Sequence, residues 1–285
     1  NPQLVAVTII ALGTSFPELV VSVNAVLENS PGIAWGNVVG SNISNILLVL
    51  GLASLVGTLS LKNKISNKNI FWLLISTLIF FFVCVLLRNI PFFIGISYIV
   101  LLFIIIYHLT SSSIKPSQIN RNNKIKTDEL SIKKSIFYII IGIVILIISA
   151  EVVVNSSIII ASFFNVPETF VGLTIIAIGT SLPEIAASII AVKKGYSEVA
   201  IGNVIGSNIF NSMGIIGAAA IFTSSGNLVV PKSFITFDIP IMLTSTFLFC
   251  LLIYYKDRIS KYIGVMFVLT YFVYILINLK IIQNI

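Results

Sequence analysis

Charge is what this sequence has least of. Only 9% of its 285 residues are Asp, Glu, Lys or Arg, against about 25% in soluble domains. So few ionised groups cannot cover a surface that faces water, which excludes a soluble enzyme or binding domain. There are two cysteines, Cys84 and Cys250, and both lie deep in apolar runs. They read as small hydrophobes rather than as a disulfide or a metal pair. The single histidine, His108, has no companion ligands at metal-binding spacing. Ten acidic residues stand against seventeen basic ones, a net charge of +7. The basic residues sit in short loops between apolar runs, so they report membrane topology and not a nucleic-acid partner.

What is present is apolar sequence. Hydrophobic residues make up 57% of the chain, and the mean hydropathy is +1.08. Runs of roughly 18 or more apolar residues mark membrane-crossing helices. Nine spans are predicted, at 3–28, 34–58, 69–87, 91–110, 133–163, 167–192, 198–223, 236–254 and 259–281. The segment 111–132 has no apolar periodicity and reads as a cytoplasmic linker. It divides a first repeat, 1–110, from a second, 133–285.

The two halves repeat. GTSFPE at 13–18 returns as GTSLPE at 179–184, and GNVVGSN at 36–42 returns as GNVIGSN at 202–208, both at an offset of 166. The second half has a helix upstream of its first motif, starting near Ser135. Its counterpart would fall before Asn1, so one helix is expected to be missing from an intact architecture of five plus five. Five is odd, so the second repeat enters the membrane from the opposite side, as in many secondary transporters. Grouping alternate loops on that scheme places 14 of the 17 Lys and Arg on one side. By the positive-inside rule that side is cytoplasmic. The expected fold is an all-α polytopic membrane protein, an inverted repeat of 5+5 transmembrane helices with the first helix missing and broken helices at an ion site. A plasma or inner membrane location is expected.

Glu18 and Glu184 are the central residues. Each lies well inside an apolar segment, where an unpaired charge costs about 2.5–3.5 kcal/mol even on the mildest scales. An inverted repeat brings equivalent positions together near the midplane. Two facing carboxylates repel and so invite a divalent cation, several monovalent ones, or a proton. Thr14, Ser15, Thr180 and Ser181 precede them by three or four residues and supply hydroxyl oxygens, which hard cations accept as ligands. Pro17 and Pro183 break each helix one residue before its Glu. The carbonyls thus freed, including those of Ala11 and Ala177, are expected to turn toward an ion. In the second motif Ser41 and Asn45, and likewise Ser207 and Asn211, are four apart and share a helical face. Their oxygens can coordinate without adding charge. The glycines of that motif, four apart, give faces for close helix packing.

Paired G-T-S-x-P-E segments, each followed by G-N-x-x-G-S-N-x-x-N, resemble the α-repeats of the sodium/calcium exchanger family in the cation/Ca²⁺ antiporter superfamily. The resemblance covers nearly the whole chain. It implies Na⁺-driven, electrogenic Ca²⁺ exchange by alternating access, with Ca²⁺ and Na⁺ as substrates and no cofactor. It implies Glu18 and Glu184 as the principal ligands, with Thr14 and Thr180 adding Ca²⁺-ligating oxygens. It further implies Ala11, Ser15, Ser41, Ala177, Ser181 and Ser207 along Na⁺ sites, and Asn45 and Asn211 at the central position. Asn211, where some family members carry Asp, leans toward K⁺-independent exchange. The lack of an acidic residue in the GN-containing segment argues against H⁺ exchange. Beyond lipid and the ions, no protein partner is expected. Glu151 is expected to act structurally or in gating, and Asp238 as a group at a helix terminus. The competing readings are an antiporter driven by H⁺ or by K⁺-coupled Na⁺, and a cation channel with a carboxylate constriction. An intramembrane enzyme is disfavoured, since no nucleophile–base set appears.

Overall fold

A computed structural model of the chain describes residues 2–61, 66–111 and 132–283. Residues 112–131, the body of the expected linker, lie outside them. Helix dominates because lipid offers no hydrogen bonds to the backbone, and a helix satisfies its own. The first predicted span is two helices, α1 (2–14) and α2 (Phe16–Leu27), bent by 48° at Ser15. There follow α3 (Pro31–Val56), α4 (Asn67–Leu87), α5 (Phe92–Ser111) and α6 (Ile132–Phe164). The sixth span is again interrupted, as α7 (168–180) and α8 (Leu182–Lys193). Then come α9 (Ser197–Phe222), α10 (Phe234–Tyr255) and α11 (Lys261–Gln283). Seven helices among the described residues are long and apolar enough to cross a membrane, and the bent α1–α2 pair makes an eighth. The remaining predicted span corresponds to α6, 33 residues long.

Two helices form the centre. In α3, 89% of the most apolar window is buried, and in α9, 83%, against 28–44% for the other spanning helices. These two carry the GNxxGSN motifs. Trp35 of α3 is fully buried between Phe80 and Phe234, which ties α3 to α4 and α10. Close approach of the centre to the broken spans needs glycine. A Cβ on Gly40 would stand 2.7 Å from the Leu173 carbonyl oxygen and 2.8 Å from Ala177 Cβ. One on Gly206, its repeat partner, would stand 2.6 Å from Ala11 Cβ.

Two short antiparallel pairs, which hydropathy did not predict, reveal the direction of the repeats. β1 (Leu59–Ser60), just after α3, pairs with β4 (Arg258–Ile259), just after α10. β2 (Asn89–Pro91), after α4, pairs with β3 (Asn227–Val229), after α9. Paired strands share one end of the molecule. The 21-residue α4 separates β1 from β2 by about 30 Å at 1.5 Å per residue, so the two pairs lie at opposite ends. α3 therefore finishes at one end and its repeat equivalent α9 at the other. The repeats are inverted, and the loops after α3 and α10 share an end, as the grouping of basic loops required.

Candidate ion-binding site

The site is built on the two helix breaks. Ser15 leaves helical geometry at φ −86°, ψ 7°, and Ser181 at φ −80°, ψ 1°. Pro17 and Pro183 then sit in the first turn of α2 and α8. Proline is tolerated there because the first amides of a helix have no intrahelical acceptor anyway. Each span thus stops and restarts at membrane depth. The restart places Glu18 and Glu184 in the first turn of a helix, where free N–H groups and the helix dipole favour an anion. Both carboxylates are 0% exposed.

Around them the repeats interlock. The Ser15 hydroxyl donates to Glu184 Oε1 at 2.9 Å, and the Ser207 hydroxyl donates to the same oxygen at 3.3 Å. The Thr14 hydroxyl lies 3.3 Å from the Ala11 carbonyl oxygen. The Ser41 hydroxyl reaches the Ala177 carbonyl oxygen at 3.5 Å, and the Asn45 amide donates to Asn208 Oδ1 at 3.0 Å. Ser181 and Asn211 are fully buried beside them on α7–α8 and α9. The expectation of freed carbonyls at Ala11 and Ala177 needs correction. The Ser15 N–H donates to Ala11 at 2.9 Å and the Ser181 N–H to Ala177 at 3.2 Å. The α-helical bond survives up to the break, so each of these carbonyls keeps only its second lone pair. The acceptors that Pro17 and Pro183 leave without an i+4 donor are those of Gly13 and Gly179.

Seven buried oxygens here have no hydrogen-bond partner: both of Glu18, Glu184 Oε2, Ser181 Oγ, and the amide oxygens of Asn42, Asn45 and Asn211. An unmade hydrogen bond at a buried group costs about 1–3 kcal/mol, more for a charge. Buried oxygens without donors, three of them on the two carboxylates, match what a hard cation needs, since Ca²⁺ takes six to eight oxygen ligands. No group of three or more His, Cys, Asp or Glu occurs among the described residues. Most of the donor set is therefore neutral.

Three features escaped the sequence. Asn37 and Asn203 are buried and bind Thr180 and Thr14, respectively. The helices contain π turns at Ala6–Ile10 and Gly172–Ile176, 166 residues apart, and at Asn45–Val49 and Phe210–Ile215. Such turns often mark functional sites. Asp238 stands at the cap of the α-helical part of α10, and it is buried there. It is 2% exposed, ends a π turn, and accepts from the Tyr274 hydroxyl at 2.8 Å and the Asn278 amide at 3.2 Å. Glu151 points outward from α6 and is exposed. His108 accepts from Trp72 Nε1 at 2.8 Å, linking α4 to α5.

Comparison with known proteins agrees with this geometry. The family model described as sodium/calcium exchanger protein matches residues 1–111 and 134–280. A putative antiporter, CaxA of Alkalimonas amylolytica, is 32% identical over 225 residues, 78% of this chain and 70% of the relative. The sodium/calcium exchanger MaX1 of Methanosarcina acetivorans is 28% identical and aligns over 96% of this chain and 88% of its own. The solved structure of the sodium-calcium exchanger NCX_Mj, soaked with Na⁺ and Sr²⁺, superposes with a TM-score of 0.71 at 25% identity, covering 96% of this chain and 86% of that one. Repeated motifs, inverted halves, broken helices with buried carboxylates and a family match over almost the whole length converge on one assignment: this chain belongs to the sodium/calcium exchanger protein family.

Proposed function

We propose that the chain is a secondary antiporter exchanging Na⁺ for Ca²⁺ at one shared site. The observation that carries this is the set of donor-less buried oxygens on Glu18, Glu184 and the helices that carry the repeated motifs. One Ca²⁺, or several Na⁺, neutralises the two carboxylates. A doubly ionised site without cations would cross between access states poorly, because charge in a low-dielectric setting is costly, and that requirement couples the two fluxes. Thr14, Ser15, Thr180, Ser181, Ser41, Ser207, Asn45, Asn211 and the carbonyls of Ala11 and Ala177 are the proposed neutral ligands.

Access alternates, in this account, by movement of α6 against the broken spans. A cavity of about 340 Å³ between α6 and the site, lined by Ser149, Val153 and Ser157 together with Pro17, Gly179 and Thr180, gives it room to move. The basic loops after α3 and α10 face the cytoplasm, and the protein sits in the plasma or inner membrane. The repeats divide at the linker 111–132. Neutral Asn211 favours exchange independent of K⁺.

Vesicles reconstituted with full-length protein and offered Na⁺, K⁺ or H⁺ gradients separately test this. Ca²⁺ uptake driven by outward Na⁺ alone is expected. Uptake driven by H⁺, or only with K⁺ present, replaces the coupling ion. Ca²⁺ flux with no counter-ion makes the protein a channel.

A further inference from the structure

We infer that Asn37 and Asn203, which the proposed ligand set does not include, are positioning residues: their amide oxygens take the hydroxyl hydrogens of Thr180 and Thr14, so that both hydroxyl oxygens face the cation with a lone pair. The inference rests on the shared Na⁺/Ca²⁺ site proposed above. A hydroxyl ligates a cation through oxygen, so its hydrogen has to be received elsewhere. Besides the Glu18 carboxylate beside it, Thr180 has three neutral acceptors in reach: Asn37 Oδ1 at 2.9 Å, the Ile176 carbonyl at 3.1 Å and the Ala177 carbonyl at 3.5 Å. Besides the Glu184 carboxylate, Thr14 has two: Asn203 Oδ1 at 3.2 Å and the Ala11 carbonyl at 3.3 Å. In both copies the asparagine is the nearest neutral acceptor, and a cation on the carboxylate leaves the hydrogen to it.

The orientation of the Asn37 amide is not arbitrary. Its Nδ2 lies 3.1 Å from the Glu18 backbone carbonyl oxygen and 2.9 Å from Ser22 Oγ. A carbonyl only accepts, so the NH₂ group must face Glu18 and the oxygen must face Thr180. Asn37 therefore spans the repeats, held by the backbone of the Glu18 residue on one side and holding a hydroxyl of the other repeat. The chain repeats the asparagine–threonine contact at the same offset, with Asn203 on Thr14, but the Asn203 Nδ2 is buried without a hydrogen-bond partner, so the amide is anchored in one copy only. Two asparagines and two threonines meeting crosswise between inverted halves are placed for a task at the interface, since packing alone asks for no amide.

A second consequence concerns the helix carbonyls. If the threonine hydrogen went to Ala11 or Ala177, it would occupy the one lone pair that these carbonyls retain. At Ala11 the asparagine leaves that pair open, whereas at Ala177 the Ser41 hydroxyl already approaches it at 3.5 Å.

The test is a double-mutant cycle on full-length protein in vesicles, reading the KM for Ca²⁺ and the maximal Na⁺-driven rate. Asn37→Ala is expected to raise KM roughly tenfold, the worth of about one hydrogen bond, with a smaller change in maximal rate. In a Thr180→Val background, Asn37→Ala should add almost nothing, because no hydroxyl remains to orient. Equal losses in both backgrounds mean that Asn37 acts through packing or through its bonds to Glu18 and Ser22, and overturn the inference. The parallel cycle of Asn203→Ala with Thr14→Val serves if Asn37→Ala does not fold, as judged by gel filtration. The same non-additivity is expected there, and additive losses overturn the assignment. Wild-type vesicles without Na⁺-driven uptake would instead defeat the shared-site proposal on which this rests. Robust wild-type exchange with additive losses defeats the asparagine assignment alone.

Discussion

At the residue scale the molecule separates two kinds of buried carboxylate. Asp238 is engaged by the neighbouring helix: Tyr274 and Asn278 both donate to its Oδ1, which joins α10 to α11. Neither Glu18 oxygen has a donor in full hydrogen-bond geometry, although the Thr180 hydroxyl stands beside it, and Glu184 has one oxygen without a donor. A carboxylate whose partners are all protein groups is structural, and one left open is available to an ion. Asp238→Ala should therefore leave Tyr274 and Asn278 without an acceptor and cost about 1–3 kcal/mol. It should appear as a lower melting temperature of the purified protein with Na⁺/Ca²⁺ exchange retained. Loss of exchange without loss of stability would make Asp238 part of the transport path. Sequence position alone put Asp238 near a helix start and could not show that Tyr274, 36 residues on, covers it. Glu18 and Glu184 were legible, because a charge inside an apolar run has to be explained locally. Asn37 and Asn203 were not, although both stand in the repeated GN pair. A neutral amide in a glycine-rich stretch carries no conspicuous cost in sequence, and its crosswise threonine is visible only in three dimensions.

At the scale of elements, close packing of α9 on α1 and of α3 on α7 holds the two breaks against the centre. Gly206→Ala places a methyl against the Val7 carbonyl oxygen and Ala11 Cβ. Overpacking of this kind costs about 1–3 kcal/mol. Gly13→Ala meets nothing within 4 Å and should be neutral or slightly stabilising, since alanine is the better helix former. Thermal unfolding of the two variants side by side checks the contrast, and equal melting temperatures would contradict the packing described here. The spans themselves were readable from hydropathy, with ends displaced by only a few residues. The breaks were readable from Gly and Pro. The π turns were not, because one extra residue per turn leaves the apolar character of a run unchanged. The strand pairs were also hidden. Two or three residues are too few for a period-two pattern, and their partners lie far away in sequence.

At the scale of the whole molecule the two strand pairs clamp opposite ends of an inverted repeat. They place the segment after α3 beside that after α10, and the segment after α4 beside that after α9. With Cys84 and Cys250, both buried, replaced by alanine, single cysteines report the sides. Lys256→Cys should react with an impermeant maleimide only from the cytoplasmic face. Ser225→Cys should react only from outside. Labelling of both from one face would contradict the inverted arrangement, and the reverse pattern would turn the protein over in the membrane. The charge distribution anticipated this layout because insertion reads Lys and Arg in short loops, and the repeat offset supplied the symmetry.

The central claim is that Glu18 and Glu184 form a single site serving both ions. Na⁺-gradient-driven uptake of radiolabelled Ca²⁺ into vesicles, compared among wild type, Glu18→Gln and Glu184→Gln, addresses it most directly. Each substitution keeps the side-chain volume and removes one of two charges. Each is predicted to lower exchange by about 100-fold, the equivalent of about 2.7 kcal/mol, while the purified variants remain folded. Wild-type exchange in either variant would contradict the shared site.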